Sequence, residues 1–340
     1  MYLLSFFPIL LSCQTQKLDM KSNKKEIEIQ RRLSLSNEWL STADFDGDGD
    51  DVIFTFNDGV AQWNGQNHEI EAQPLCASVY DWDRDGKEEL YVGYGSSRKY
   101  RNQPAQVWQY SNRETKLVWK GEINTMISDM HATNDGLFIV RSNSNQEMEG
   151  GFLDIAVGEI NVLHTQKLAL RQYPINKESV LVGRVYGDKP RSDGDLFYSN
   201  TKMKIPTKRG VRAIELADIN QDQKKDLLVS DGWHFQYGTN AQARVVLYEG
   251  PDFKERRVIA NFDDDYSVNR IEVSDDGKMI LAIASKFGYV LFLDDLGWKS
   301  YKLPEIGERG SMSFLHSSKG LEIAVSGEMG GVFSVSYSSQ

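Results

Sequence analysis

The stretch DFDGDGDD (Asp44 to Asp51) places five carboxylates in eight positions, directly before the apolar run VIFTF. Carboxylates held this close repel one another and raise one another's pKa, so the cluster is costly unless a cation or water compensates it. The stretch therefore predicts either an exposed, solvated acidic turn or a binding site for a hard cation.

Two further copies of the pattern lie at 81–90 (DWDRDGKEEL) and 218–227 (DINQDQKKDL). Both carry oxygen-bearing side chains at positions 1, 3, 5 and 9, between two runs typical of β-strands. This spacing lets alternate carboxylates converge, with a backbone carbonyl available at position 7, which suits Ca²⁺ better than the more demanding Mg²⁺. An EF-hand is excluded because position 12 is Thr55, Val92 and Val229 instead of a bidentate Glu.

These loops resemble the FG-GAP (VCBS-type) repeat, the calcium-loop β-propeller repeat also found in integrin α-chain heads. In that family the loop joins the first two strands of a blade, so the resemblance implies an all-β propeller and Ca²⁺ as its cofactor. The ligands it implies are Asp81, Asp83, Asp85 and Glu89 in the second loop, Asp218, Asn220, Asp222 and Asp226 in the third, and Asp44, Asp46 and Asp48 in the first. The first loop departs from the family, because position 9 is Val52 and the last acid is Asp50 or Asp51.

Degenerate copies of the strand-turn-strand pattern extend the repeat to 126–140, 179–199, 268–285 and 312–327. Seven units then recur with a mean period of about 45 residues, the length of a four-stranded blade, which predicts a seven-bladed β-propeller. The interval from about 186 to 217 is short, so six blades is the alternative. The alternating run at 25–31 suits a strand that completes the last blade and closes the ring.

The N-terminal segment MYLLSFFPILLSC (1–13) is apolar but too short to span a bilayer. Its end, Leu10 to Cys13, resembles a bacterial lipobox, which implies a lipid on Cys13, a polar tether at 14–25 and a single propeller over 26–340. The expected location is the cell envelope, at the outer membrane or cell surface, with the lipid as the only membrane contact. No Lys or Arg precedes the apolar run, so a plain secretory signal, with a secreted or periplasmic protein, and a misassigned start are the alternatives.

Two loops are candidates for a ligand face opposite the acidic loops. The loop at 230–240 groups Trp233, His234 and Tyr237, which could stack on sugar rings or peptide aromatics, or act as general base and acid. The loop at 93–102 carries Arg98 and Arg101, which could pair with carboxylates of a uronic-acid polysaccharide. The alternatives are aromatic rings packed on a neighbouring blade and a solvated basic loop.

The chain of 340 residues contains no G-x-S-x-G, H-E-x-x-H, P-loop or Cys-x-x-Cys motif, and its five histidines lack metal-ligand spacing. His131 and His316 fall at the ends of first strands, where a packed or hydrogen-bonded histidine is expected. A net charge of −10 disfavours nucleic acid as a partner. The sequence favours a calcium-stabilised binding or scaffold module for a glycan or protein ligand. A propeller-type polysaccharide lyase or hydrolase using the Trp233 loop is the alternative, and a partner-assembly scaffold is a third hypothesis.

Overall fold

The computed structural model describes residues 27–337 except 98, 113, 144–146, 168, 186–193, 208–209, 232–242, 255, 264, 266, 295–296, 307–309 and 319. The described residues form 28 β-strands, arranged as seven four-stranded antiparallel sheets. Each sheet contacts the next along the chain, and the last sheet contacts the first. The predicted seven-bladed β-propeller is therefore confirmed, and six blades is wrong. No helix long and apolar enough to cross a membrane occurs among the described residues.

The strands of the first three blades follow one another directly along the chain, after a leading strand β1 (Ile27–Ser34). The first blade contains β2 (Trp39–Ala43), β3 (Val52–Asn57), β4 (Val60–Trp63) and β5 (Gln66–Glu69). The second contains β6 (Gln73–Tyr80), β7 (Glu89–Gly95), β8 (Pro104–Tyr110) and β9 (Thr115–Ile123). The third contains β10 (Ile127–Thr133), β11 (Gly136–Ser142), β12 (Met148–Asp154) and β13 (Glu159–Gln166).

The next three blades repeat the same order. The fourth contains β14 (Arg171–Asn176), β15 (Ser179–Gly183), β16 (Leu196–Tyr198) and β17 (Lys204–Ile205). The fifth contains β18 (Val211–Ala217), β19 (Asp226–Asp231), β20 (Ala243–Tyr248) and β21 (Arg256–Phe262). The sixth contains β22 (Val268–Val273), β23 (Met279–Ala284), β24 (Phe287–Asp294) and β25 (Gly297–Glu305).

The last blade combines both ends of the described chain. It contains β26 (Met312–Ser317), β27 (Gly320–Val325) and β28 (Gly331–Tyr337), in the order β1-β28-β27-β26. β1 pairs antiparallel with β28, with Ile29 opposite Val335. The backbone groups of β28 that would otherwise form an open edge are therefore paired within the sheet.

Second strands such as β7 and β23 lie between two neighbouring blades and are buried on both faces. This placement explains runs without polar alternation, such as ELYVGYG in β7 and MILAIA in β23, where every residue is buried. The apolar core consists of layers between consecutive blades, for example the cluster of Phe54, Tyr94 and Tyr110 between the first and second blades. The contact between the last and the first blade is rich in hydroxyls, since Thr42 Oγ1 lies 3.0 Å from Ser313 Oγ and Ser311 Oγ donates to the Leu40 carbonyl at 2.8 Å.

The fourth repeat unit begins earlier than the sequence suggests. The repeat spacing predicts the first hairpin of this unit at 179–199, but β15 and β16 in that range are the second and third strands of the blade. The first hairpin joins β14 to β15, with Asn176 opposite Ser179. This turn carries no acidic loop, so the short interval before residue 217 reflects a displaced start and not a truncated blade.

Candidate functional site

The first strand of each blade lines a central channel, a cavity of about 580 Å³. A first strand faces the axis because its other side is paired with the second strand and its ends continue into loops. Charged side chains from different blades therefore meet in this channel. Those that line it are Asp51, Glu88, Asp129, His131, Arg171, Arg212, Glu215, Arg270, Glu272, Asp275 and His316.

Arg171 connects four blades across the channel. Its guanidinium donates to the backbone carbonyls of Ser128 in the third blade, Leu170 beside it, Arg212 in the fifth at 2.7 Å and Asn269 in the sixth at 3.0 Å. A guanidinium satisfied by carbonyls remains charged and is held rigidly, because its donors form a fixed planar fork. Arg171 therefore ties the inner strands together and contributes a fixed positive charge to the channel.

Asp129 and His131 form an ion pair next to this charge, with His131 Nε2 3.5 Å from Asp129 Oδ2. Burial raises the pKa of Asp129, but the charge and hydrogen bond of His131, the charge of Arg171 and the Gln172 N–H outweigh it, so the net pKa is below its ordinary value. Burial lowers the pKa of His131, but Asp129 and the charge of Glu215 raise it above 6.5 overall. The pair therefore favours an ionised carboxylate and an imidazolium.

Glu215 is a carboxyl group of the channel with a raised pKa. Burial raises its pKa to about 7, against the charge of His131 and the Leu216 N–H, which favour the ionised form. The Leu216 N–H donates to Glu215 Oε1 at 3.2 Å. The ring of Tyr173 lies against His131, with centroids 4.9 Å apart. A carboxyl group that titrates near neutrality beside an imidazole can accept or release a proton at physiological pH.

Glu272 and Arg270 extend the cluster towards the seventh blade. Glu272 Oε1 accepts hydrogen bonds from Ser313 Oγ and the Phe314 N–H, both at 3.2 Å. Glu272 Oε2 lies 3.8 Å from Arg270 Nη2, too far for a hydrogen bond. One third of the Arg270 side chain is exposed. The channel therefore presents both a cation and carboxylates to a molecule that enters it.

The second and third acidic loops share one hydrogen-bonding pattern. The carboxylate at position 1, Asp81 or Asp218, accepts the N–H groups of positions 5 and 6 at 2.8 to 3.1 Å. The acid at position 9 folds back onto the N–H of position 2, Glu89 Oε2 to Trp82 at 3.0 Å and Asp226 Oδ2 to Ile219 at 3.2 Å. Carboxylate oxygens of Asp81, Asp83 and Asp85 come within 4.8 Å of one another. This all-oxygen set fits the ligand chemistry of Ca²⁺.

The first acidic loop differs in its last two acids. Asp44, Asp46 and Asp48 also bring carboxylate oxygens within 4.8 Å of one another. Asp50 accepts the Ser318 N–H, and Asp51 Oδ2 accepts the His316 N–H at 2.7 Å, so both acids join the first blade to the seventh. The first loop therefore lacks the closing acid that Glu89 and Asp226 supply in the other two.

The first and second acidic loops touch each other. The Asp44 N–H donates to Glu88 Oε2, and the Glu88 N–H to the Asp44 carbonyl, both at 2.8 Å. Gly47 has φ 77°, and a Cβ there would lie 2.5 Å from the Gly86 carbonyl oxygen. Glycine is required at this position because of both the left-handed backbone and the close approach.

Several residues proposed from the sequence lie outside the described residues, namely Cys13, Arg98, Trp233, His234 and Tyr237. Arg101 is described and exposed between β7 and β8. Asp231, which ends β19 just before the Trp233 loop, is buried and pairs with Arg244 and Arg256. Cys76 is buried, and burial raises its pKa to about 12, as fits an inert core thiol.

Local sequence patterns do not group the charged residues of the channel, because each lies alone in its strand and the strands are far apart in the chain. A signal was available in the charged positions of the first strands, as in SDMHA (128–132), VRAIEL (211–216) and VNRIEV (268–273). Strands that face a sealed apolar core would not repeat Arg and Glu in this way.

No family model matches the chain, and no curated protein matches its sequence. Among solved structures, a chain of a mitotic checkpoint complex is similar with a TM-score of 0.52 at 13% identity, covering 98% of each chain. An oligogalacturonate lyase in complex with manganese is similar with a TM-score of 0.51 at 10% identity, covering 95% of this chain and 96% of the other. At such low identities these likenesses define the class of protein, a β-propeller, and nothing narrower.

Proposed function

We propose that this protein is a ligand-binding propeller whose central channel takes a small, polar molecule that carries a carboxylate. One observation carries the proposal: Arg270, His131, Glu215 and Glu272 all line one cavity of about 580 Å³. Pockets of this volume accommodate small molecules, and a few placed polar groups determine which ones. Arg270 supplies the fork for a carboxylate, and Glu215 and Glu272 accept hydroxyl groups.

A sugar acid meets these demands, because it joins one carboxylate to several hydroxyls. This ligand class agrees with the glycan expected from the sequence. The experiment is calorimetric titration of the calcium-loaded protein with D-galacturonate, with neutral D-galactose as the control ligand. We expect galacturonate to bind more tightly than galactose.

Replacement of Arg270 tests the site itself. We expect Arg270→Met to weaken galacturonate binding at least about tenfold, because it removes the partner of the carboxylate. Arg257→Met is the matched control, since Arg257 is exposed on β21, away from the channel. Equal affinity in the wild type and Arg270→Met would refute the channel as the binding site.

Calcium is part of the same proposal, as a structural ion. It would be held in the second and third loops by the oxygen atoms of Asp81, Asp83, Asp85 and Glu89 and of Asp218, Asn220, Asp222 and Asp226. When bound, the ion neutralises carboxylates that otherwise repel one another and fixes loops that contact the neighbouring blades. The first loop, with Asp44, Asp46 and Asp48, offers fewer ligands, so we expect it to bind calcium most weakly.

The cell envelope is the proposed location, with a lipid on Cys13 as the anchor. The support is the lipobox-like sequence Leu10 to Cys13 and the polar stretch that follows it. Mass spectrometry of the mature protein from bacterial membranes tests this directly. A diacylglycerol adduct on Cys13 is expected, and an unmodified Cys13 in a soluble fraction would refute the anchor.

A lyase is the second candidate, favoured by the pKa of Glu215 near 7 beside His131. In a uronate chain, Glu215 would take the proton next to the carboxylate, and the freed electron pair would form a carbon–carbon double bond as the glycosidic bond breaks. His131 would protonate the departing oxygen, and Arg270 would pair with the carboxylate. The fold is shared with an oligogalacturonate lyase. New unsaturated ends that disappear in Glu215→Gln would establish this activity, whereas binding without product supports the binding module.

A further inference from the structure

The outer strand of each blade has one edge without a partner strand among the described residues. Such an edge offers its N–H and C=O groups to another chain, and proteins usually protect it with short strands, basic side chains or Pro. β13 (Glu159–Gln166), the outer strand of the third blade, lacks all three protections. We infer that β13 pairs antiparallel with β13 of a second copy of this chain. The inference is independent of the ligand proposed for the channel.

The other six outer strands each carry one of these protections. β5 and β17 are only four and two residues long. The longer ones each contain two basic side chains, namely Arg31 and Arg32 in β1, Lys116 and Lys120 in β9, Arg256 and Arg257 in β21, and Lys299 and Lys302 in β25. β13 is eight residues long and contains no Lys, Arg or Pro. A bulge does not distinguish it, because all five long outer strands have a shift of register.

Exposed apolar side chains lie around this edge. Val162, in the middle of β13, is 42% exposed. Val157, in the turn that leads into β13, is 64% exposed, and Leu117 is exposed on the neighbouring β9. The turn lies against β9, since a Cβ at Gly158 would be 3.2 Å from the Val118 carbonyl oxygen. Apolar surface beside an open edge is buried when a strand docks there, which adds to the gain from backbone hydrogen bonds.

Charges at the two ends of β13 favour a second copy as the partner. Glu159 begins the strand and is its only charged residue, and Lys167 follows its last residue. Antiparallel pairing of two copies brings Glu159 of each copy near Lys167 of the other, whereas parallel pairing would place like charges side by side. A two-fold axis then passes near Val162, so each contact is made twice. An interface of this kind closes at two copies and leaves neither copy of β13 with an open edge.

The test is the oligomeric state of the full chain, measured by light scattering over a series of protein concentrations. We expect a monomer–dimer equilibrium in the wild type. Val162→Lys should raise the dissociation constant at least about tenfold, because it brings two ammonium groups together near the axis. Leu293→Lys is the matched control, since it adds the same charge at an exposed apolar position of the sixth blade and should leave the equilibrium unchanged. Both variants should melt like the wild type, because both positions are exposed.

Hydrogen exchange separates strand pairing from other contacts between copies. Amide protons of β13 should exchange more slowly at high protein concentration than at low concentration, whereas those of β25 should exchange at the same rate. A wild type that stays monomeric at every concentration would overturn the inference. A dimer that survives Val162→Lys, or that leaves exchange in β13 unchanged, would also overturn it, because the contact would then lie elsewhere on the surface.

Discussion

Arg171 Nη2 donates to the Asn269 carbonyl at 3.0 Å, so a side chain of the fourth blade holds the first strand of the sixth across the channel. Arg171 Nε donates to the Arg212 carbonyl in the fifth blade at 2.7 Å. We expect Arg171→Met to lower the free energy of unfolding by about 2 to 4 kcal/mol, because charge-assisted hydrogen bonds are lost and their acceptors remain inside the fold. Urea unfolding measures this change.

Arg257→Met serves as the control for Arg171→Met, since it removes the same group from an exposed position on β21. Its effect should lie within about 0.5 kcal/mol of zero. If Arg171→Met were as stable as the wild type, channel water would be replacing the guanidinium, and the cross-channel bonds would contribute nothing to stability.

Local signals in the sequence were sufficient to predict the acidic loops and the propeller. The loops repeat a spacing within ten residues, and the strands around them repeat alternation or apolar runs, so neither depends on distant contacts. The fourth blade shows the limit of this approach. The turn at 176–179, which is the first hairpin of this blade, carries no acidic loop. The hairpin between β15 and β16 has Asp and Gly next to β16, so its sequence is closer to the repeat pattern.

The channel could not be predicted in the same way. His131, Glu215 and Arg270 become neighbours only when the ring closes, and no local pattern reports the pairing of third, fifth and sixth blades. The pKa of Glu215 likewise depends on burial and on His131, both of which are tertiary features. The type and spacing of residues were enough to predict candidate binding residues in the loops. The candidate residues in the channel become apparent only once the pairing and register of the strands are known.

Glu215 should make stability fall as the pH rises towards neutrality. Its pKa rises from the ordinary 4.5 to about 7 in the folded protein, so the folded state holds a proton that the unfolded state releases. This contribution is fully present below about pH 4.5 and is lost by about pH 7 to 8. Its size is about 1 to 3 kcal/mol of unfolding free energy, because the channel is open to water. The raised pKa of His131 acts in the same direction. Its contribution to stability is present below pH 6.5 and is lost above the pKa that His131 has in the folded protein.

Glu215→Gln isolates this effect. The variant should lose less stability than the wild type between about pH 4.5 and pH 8, because Gln does not titrate. Melting temperatures of both proteins across this pH range measure the difference in their stability. The acidic loops are the same in both proteins, so their contribution cancels in that difference. Parallel curves for the two proteins would show that Glu215 titrates at its ordinary pKa.

Calcium removal should lower the melting temperature at neutral pH. A site occupied at a hundredfold excess over its dissociation constant contributes about 2.7 kcal/mol, and chelation also leaves mutually repelling carboxylates. Asp85→Asn and Asp222→Asn should each reduce the calcium-dependent part of the stability. Asp252→Asn, at an exposed carboxylate outside the loops, should not. Equal melting temperatures with calcium and chelator, at low and neutral pH alike, would exclude a structural calcium role.

Asp231 should be among the most sensitive positions of the fifth blade. Its side chain is 1% exposed, and it accepts hydrogen bonds from Arg244 Nε at 2.6 Å and Arg256 Nη2 at 3.1 Å. Asp231→Asn leaves two guanidinium groups without their counter-charge, which should cost about 3 to 5 kcal/mol of unfolding free energy. In a double-mutant cycle, Arg256→Met should be less costly in the Asp231→Asn background than in the wild type, and additive effects would contradict the coupling.

Deleting the chain up to Ser34 should destabilise the last blade and promote aggregation. The deletion removes β1, which pairs with β28 from Ile27 opposite Tyr337 to Ser34 opposite Gly331. It exposes the edge of β28 and removes Ile29, a buried member of the cluster between the sixth and seventh blades.

A matched pair of point changes separates the effect of packing from the effect of shortening the chain. Ile29→Asp should lower the melting temperature markedly, and Gln30→Asp, at a partly exposed position of the same strand, should lower it little. A deletion variant that melts with the wild type and does not aggregate in light scattering would show that the ring is stable without its closing strand.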